Sequence, residues 1–222
     1  PPVVPHADRP AGLAVRRRGL LRVATALVMT GVIFGANEVI AVAYAEEEGA
    51  KTFSSIILGA FALGSTIAGL LFGTRIFRSS MTQRLLVAAA GMFVLEVPAL
   101  FVGGLWPLVV VMFIAGSATA PLHNTSLSLA QRLVPKALVT EGMAVAITGI
   151  LIGISAGSAV AGWAIEAWGA QPAYAVPVVA GACALAIIAV RYRYLERAEL
   201  AAATEHTPTP ASDTTPAPTP AT

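Results

Sequence analysis

The 222-residue chain is 56% hydrophobic and only 12% charged, with a mean hydropathy of +0.76. Soluble globular domains carry about a quarter charged residues, so these values exclude that class and identify a polytopic membrane protein. A net charge of +2 gives no reason to invoke a nucleic-acid partner, and the lone Cys183 excludes an intrachain disulfide framework and cysteine-rich zinc sites, leaving it as a small buried filler.

The chain opens on Pro1, and residues 1–19 lack the apolar core and cleavage site of a signal peptide. They read as a cytoplasmic basic linker, the expected remnant of an interdomain segment in a longer protein. Arg16, Arg17, Arg18 and Arg22 then stand directly before the first apolar span, residues 23–44. About 20 apolar residues in a helix cross a hydrocarbon core of about 30 Å, so this stretch qualifies as transmembrane. Its oddity is Asn37 and Glu38 in the second half. A carboxylate at such depth costs on the order of 3 kcal/mol, and is tolerated where it faces protein, water or a partner charge.

An acidic loop, Glu46 to Glu48 with Lys51, follows and reads as a solvated face. Further spans are expected at residues 52–74, 85–103, 106–129, 141–168 and 172–190. Arg75, Arg78 and Arg84 follow the second span, Arg132 and Lys136 the fourth, and Arg191, Arg193 and Arg197 the sixth. On this threading, 13 of the 14 basic residues fall on one side, with Lys51 alone opposite. Basic loops mark the cytoplasmic face, so six spans put both termini there. The transmembrane bundle is thus expected over residues 20–197. Residues 198–222, poor in large apolar side chains and interrupted by prolines, read as a disordered, polyproline-prone cytoplasmic tail.

Gly149, Gly153 and Gly157 recur every four residues in the fifth span, as Ser65, Gly69 and Gly73 do in the second, a spacing that lets helix backbones approach closely. Pro121 lacks an N–H and is expected to kink the fourth span as a hinge, just before His123 and Asn124. His123 has no second His or Cys at ligand spacing, so no metal is expected. Thr140 and Glu141 are expected to precede the fifth span as its helix cap and first-turn acid, and Glu166 to sit at the interface. Glu96 beside Pro98 reads as a structural partner or a neutral carboxyl at a helix distortion.

Three segments resemble the carboxy-terminal six-helix half of a major facilitator superfamily transporter. They are FGANEVIAVAYAEEEGA, GLLFGTRIFRSSMTQRLL and AGSATAPLHNTSLSLAQRLVPKALVTEG. The fifth span, GILIGISAGSAVAGWAIEAWGAQPAY, is similar to that family's eleventh helix. The resemblance implies an all-α fold of two inverted three-helix repeats, with a missing amino-terminal half as partner. It also places Asn37, Glu38, Pro121, His123 and Asn124 on cavity-forming helices. In the loop after the second span, Gly73, Thr74, Arg75 and Arg78 keep the family's glycine and basic residues but lack its acid, which leaves Arg75 and Arg78 as a cytoplasmic gate or topology signal.

The function expected is secondary transport of a small organic solute by alternating access in the plasma membrane, coupled to protons and directed to efflux as an antiporter. Glu38, Asn37, His123 and Asn124 are the expected substrate or proton-coupling residues, and no cofactor is implied. With no GxxxxGK[ST] phosphate loop, the chain is not itself an ATP-driven pump. Two alternatives remain at this point. One is a noncatalytic half-size bundle or accessory subunit. The other is an intramembrane serine hydrolase built on Ser155, Ser158 and His123, for which nothing in the sequence fixes a nucleophile beside a base.

Overall fold

The computed structural model describes residues 13–74, 80–133 and 139–206. Every regular element among them is helical: α1 (Leu13–Glu47), α2 (Ser54–Thr74), α3 (Met81–Glu96), α4 (Leu105–Leu133), α5 (Val139–Trp168), the short α6 (Ala170–Ala173) and α7 (Ala175–His206), with 3-10 turns at Lys51–Phe53 and Val97–Phe101. Six stretches are long and apolar enough to cross a bilayer: Ala24–Glu47, Lys51–Thr74, Met81–Phe101, Leu105–Gln131, Gly142–Trp168 and Ala170–Val190.

Local chemistry sets the ends. At the close of α1 the chain turns at Gly49, where φ is 72°. Its N–H donates to the Glu46 carbonyl and the Ala50 N–H to the Ala45 carbonyl, so two carbonyls at the helix end find donors. Ser80 caps α3, its hydroxyl accepting from the Gln83 N–H at 3.2 Å. Pro98 follows α3 directly and the helix tightens there into a 3-10 turn.

Three differences from the expectations follow from helix physics. Helix α1 is already formed at Leu13, inside the stretch read as linker, and α7 runs on to His206, inside the stretch read as structureless tail. A helix nucleated by a membrane span extends at little cost through residues such as Leu195, Ala198, Leu200 and Ala201, which favour it. Because α5 is helical from Val139, Thr140 lies within the helix and does not cap it. Cys183 is exposed, on the same outward stripe of α7 as Val179 and Val190. Arg75, Arg78 and residues 207–222 lie outside the described residues.

The most extensive helix contacts are α1 with α5 and α2 with α4, followed by α1 with α7, α3 with α7 and α3 with α4. Exchanging the first three spans for the last three converts α1/α5 into α4/α2 and α1/α7 into α4/α3. The packing therefore has the symmetry of two repeated three-helix units. Glycines make both of the largest seams. A Cβ at Gly31 or Gly35 would overlap the Ile150 or Ile154 carbonyl of α5, and one at Gly153 or Gly157 would overlap the Val28 or Val32 carbonyl of α1. Gly64 and Gly116 stand in the same relation to the Phe113 and Phe61 carbonyls across α2/α4. In α2 the closest approach is thus at Gly64; a Cβ at Gly69 would stand 3.3 Å from the Ala120 Cβ of α4, and one at Gly73 would meet nothing within 4 Å among the described residues.

One apolar cluster, with Leu27, Leu85, Met92, Leu122 and Ile188, fills the end of the bundle near the basic loops. A second, with Ile40, Ile57, Leu108, Met112 and Tyr174, fills the acidic-loop end. Of the span windows, that of α1 is 56% buried, those of α2 and α5 only 17% and 22%. Helix α1 is therefore the axis on which the bundle is built.

Candidate functional site

Successive residues of a helix point about 100° apart, so neighbours can serve different surroundings. Asn37 and Glu38 do so. Asn37 is buried at 1% exposure, and its amide Nδ2 donates to Glu96 Oε1 of α3 at 2.9 Å. Glu38 is exposed on the other side of α1.

Glu38 lines a cleft of about 580 Å³ between α1 and α5. One wall is the stripe Glu38, Val42, Glu46 and the other the stripe Ser158, Gly162, Glu166, each at the four-residue spacing that aligns side chains along a helix. The cleft is bordered by the glycine seam: Ser158 Oγ donates to the Gly35 carbonyl at 3.2 Å, and a Cβ at Gly157 would overlap the Val32 carbonyl. Gly162 has open space where a Cβ would stand, which widens the cleft. Glu46 is paired with Lys51 at 3.1 Å, with both side chains well exposed. Glu38 and Glu166 have no ion-pair partner among the described residues. The cleft is therefore an open groove along the acidic-loop halves of α1 and α5 with an acidic lining, able to receive a cation, a proton or a hydrogen-bond donor.

The other expected site residues lie elsewhere. His123 is half-buried and Asn124 exposed on α4, and neither lines the cleft with Glu38. Helix α4 runs unbroken through Pro121. That proline borders a separate cavity of about 350 Å³ with Phe72, Gln83, Arg84 and Gly91, where the Arg84 guanidinium lies 4.7 Å from the centre of the Phe72 ring. Ser155 Oγ donates to the Leu151 carbonyl of its own helix at 3.1 Å, so neither this serine nor Ser158 is hydrogen-bonded to His123. Ser155, Ser158 and His123 therefore do not form the nucleophile–base pair that a serine hydrolase needs.

Three features went unread in the sequence. Glu166, expected at the interface, lines the cleft, and the signal was its register with Ser158 and Gly162. Glu47, expected in a solvated loop, accepts from the Ala170 N–H at 2.9 Å and ties the end of α1 to the start of α6. Tyr44 and Tyr174 are buried in the cluster at the acidic-loop end; the Tyr44 hydroxyl accepts from the Gly104 N–H at 3.0 Å.

Six apolar spans in two equivalent packing units, with a carboxylate-bearing groove beside the central helix, define a polytopic α-helical membrane protein. The family model described as Major Facilitator Superfamily matches residues 10–219. The chain belongs to that superfamily, whose members are in general non-catalytic membrane transporters. No curated protein matches it.

Proposed function

We propose that the protein moves a small organic solute across the membrane by alternating access, coupled to protons and directed outward, with Glu38 as the carboxylate that takes part in proton or substrate binding. The observation that carries this reading is the exposure of Glu38 in the cleft between α1 and α5 while its neighbour Asn37 is buried. An intramembrane carboxyl open to a groove can take up and release a proton as the groove opens and closes to water. The acidic lining favours solutes that carry positive charge or offer several hydrogen-bond donors.

The exposed positions Glu38 of α1 and Asn124 of α4 are each assigned to contact with a second six-helix unit from the same protein. The basic loops support a plasma-membrane orientation with both termini cytoplasmic. His123 and Asn124 contact solute from α4 once the second unit is in place, while Arg75 and Arg78 are kept as a cytoplasmic gate or topology signal on their position in the sequence alone. In inverted vesicles carrying the complete protein, a fluorescent organic cation such as ethidium accumulates when the membrane is energised. Glu38→Gln reduces that accumulation to the level of empty vesicles at unchanged protein abundance. Undiminished, gradient-dependent accumulation by the Glu38→Gln protein overturns the assignment of Glu38.

A further inference from the structure

Another carboxylate within the spans, Glu96, is wholly buried, and the transport reading does not use it. Its Oε1 accepts from Asn37 Nδ2, but its other oxygen, Oε2, has no hydrogen-bond partner; nor has the carbonyl oxygen Oδ1 of Asn37. Buried polar atoms are rarely left unsatisfied, and here two acceptor atoms on the same pair of side chains are orphaned together. Two acceptors cannot bond to one another unless one of them carries a hydrogen.

We propose that a proton resides on Glu96 Oε2 and is donated to Asn37 Oδ1, closing a two-bond acid–amide ring between α3 and α1, and that this ring positions Glu38 toward the cleft. The ring satisfies both orphaned atoms with no third group. It also removes the need for a counter-ion: among the described residues no lysine or arginine is paired with Glu96, and an ionised carboxylate buried with a single hydrogen bond would be costly. The ionisable side chains gathered behind it are phenols. Tyr174, at the junction of α6 and α7, lies within electrostatic reach of Glu96 and of Tyr44 on α1, and its buried hydroxyl has no partner. Neither phenol supplies positive charge. Because Asn37 precedes Glu38 on one rigid helix, pinning the amide to α3 fixes the rotation of α1 and so the direction in which Glu38 projects. Glu96 is thus a positioning residue: it acts on the groove through Asn37 without touching it.

Infrared difference spectroscopy on the complete protein, wild type against Glu96→Gln, tests the ring directly. At neutral pH the wild type shows the carbonyl stretch of a protonated carboxylic acid that Glu96→Gln lacks, and in Asn37→Ala the same band moves to higher frequency as its hydrogen bond is lost. No band in the difference spectrum, or a band that Asn37→Ala leaves in place, overturns the proposal. Glu96→Gln keeps the wild-type melting temperature, since its amide donates to Oδ1 and accepts from Nδ2 as the acid does, whereas Glu96→Ala lowers it by about 5 °C. A Glu96→Gln protein as unstable as Glu96→Ala, or one that fails to accumulate, counts equally against the ring. None of these readouts depends on transport, so failure of the ring and failure of Glu38 as the coupling residue are separately visible.

Discussion

The two glycine seams, α1/α5 and α2/α4, are the same structural device used in the two repeats, yet only one of them borders carboxylates. Across both, a glycine of one helix meets a backbone carbonyl of the other, Gly153 on Val28 and Gly64 on Phe113 among them. Close backbone approach of this kind is how helices associate in lipid, where apolar side chains gain little by leaving their surroundings. It belongs to the fold. What the repeats do not share is the stripe Glu38, Val42, Glu46 facing Ser158, Gly162, Glu166. The difference between two equivalent seams falls where the proposed coupling surface lies, on the first.

The strongest way to break the equivalence is to fill each seam in turn. Gly153→Leu and Gly64→Leu are both expected to abolish accumulation of folded protein in the membrane, because the added atoms meet backbone that cannot yield. Gly→Ala at the same positions costs roughly 1–3 kcal/mol. Gly59→Ala, where a Cβ meets nothing, is neutral or stabilising by up to about 1 kcal/mol. Thermal unfolding in detergent, followed by size-exclusion chromatography, reads all of these. Tolerance of leucine at one seam but not the other would show that the seams are not equivalent supports.

The second comparison sets the carboxylates against the seam that they border. Glu38→Gln should leave melting unchanged and remove gradient-driven accumulation, the opposite pattern from a seam glycine. Glu166→Gln, across the same cleft and nearer the acidic-loop end, is expected to weaken accumulation only partly. Full loss in Glu166→Gln with little effect in Glu38→Gln would move the functional carboxylate from α1 to α5.

The span count and the glycine register in α5 were legible in the sequence because both are periodic signals along one helix: long apolar runs, and Gly149, Gly153 and Gly157 four apart. Gly31, Gly35, Gly64 and Gly116 were missed because their role depends on which carbonyl of another helix lies opposite. The same holds for Glu96. Its depth was evident from sequence, but that Asn37, 59 residues away, donates to it is set by how α3 docks on α1. Glu38 stood out as an intramembrane acid; that it and Asn37 divide between groove and core follows from the rotation of α1, which tertiary packing decides. The acidic loop shows the reverse failure, since a run of three glutamates looks uniformly solvated although Glu47 is committed to the Ala170 N–H.

The smallest expected effects lie in that loop, and they sharpen the distinction between charges that hold the structure and charges that only face water. Glu47→Ala removes the tie between α1 and α6, leaves the Ala170 N–H to water, and is expected to cost about 1 kcal/mol, read as a small drop in melting temperature. Lys51→Ala breaks the ion pair with Glu46, but those side chains are 68% and 60% exposed, so solvent and salt already screen the attraction. Its expected cost is at most about 0.5 kcal/mol, and it should vanish at high salt while the Glu47→Ala cost persists. If Lys51→Ala proves the more damaging of the two at every salt concentration, the Lys51–Glu46 pair, rather than the Glu47 bond to Ala170, orders the acidic-loop end of the cleft.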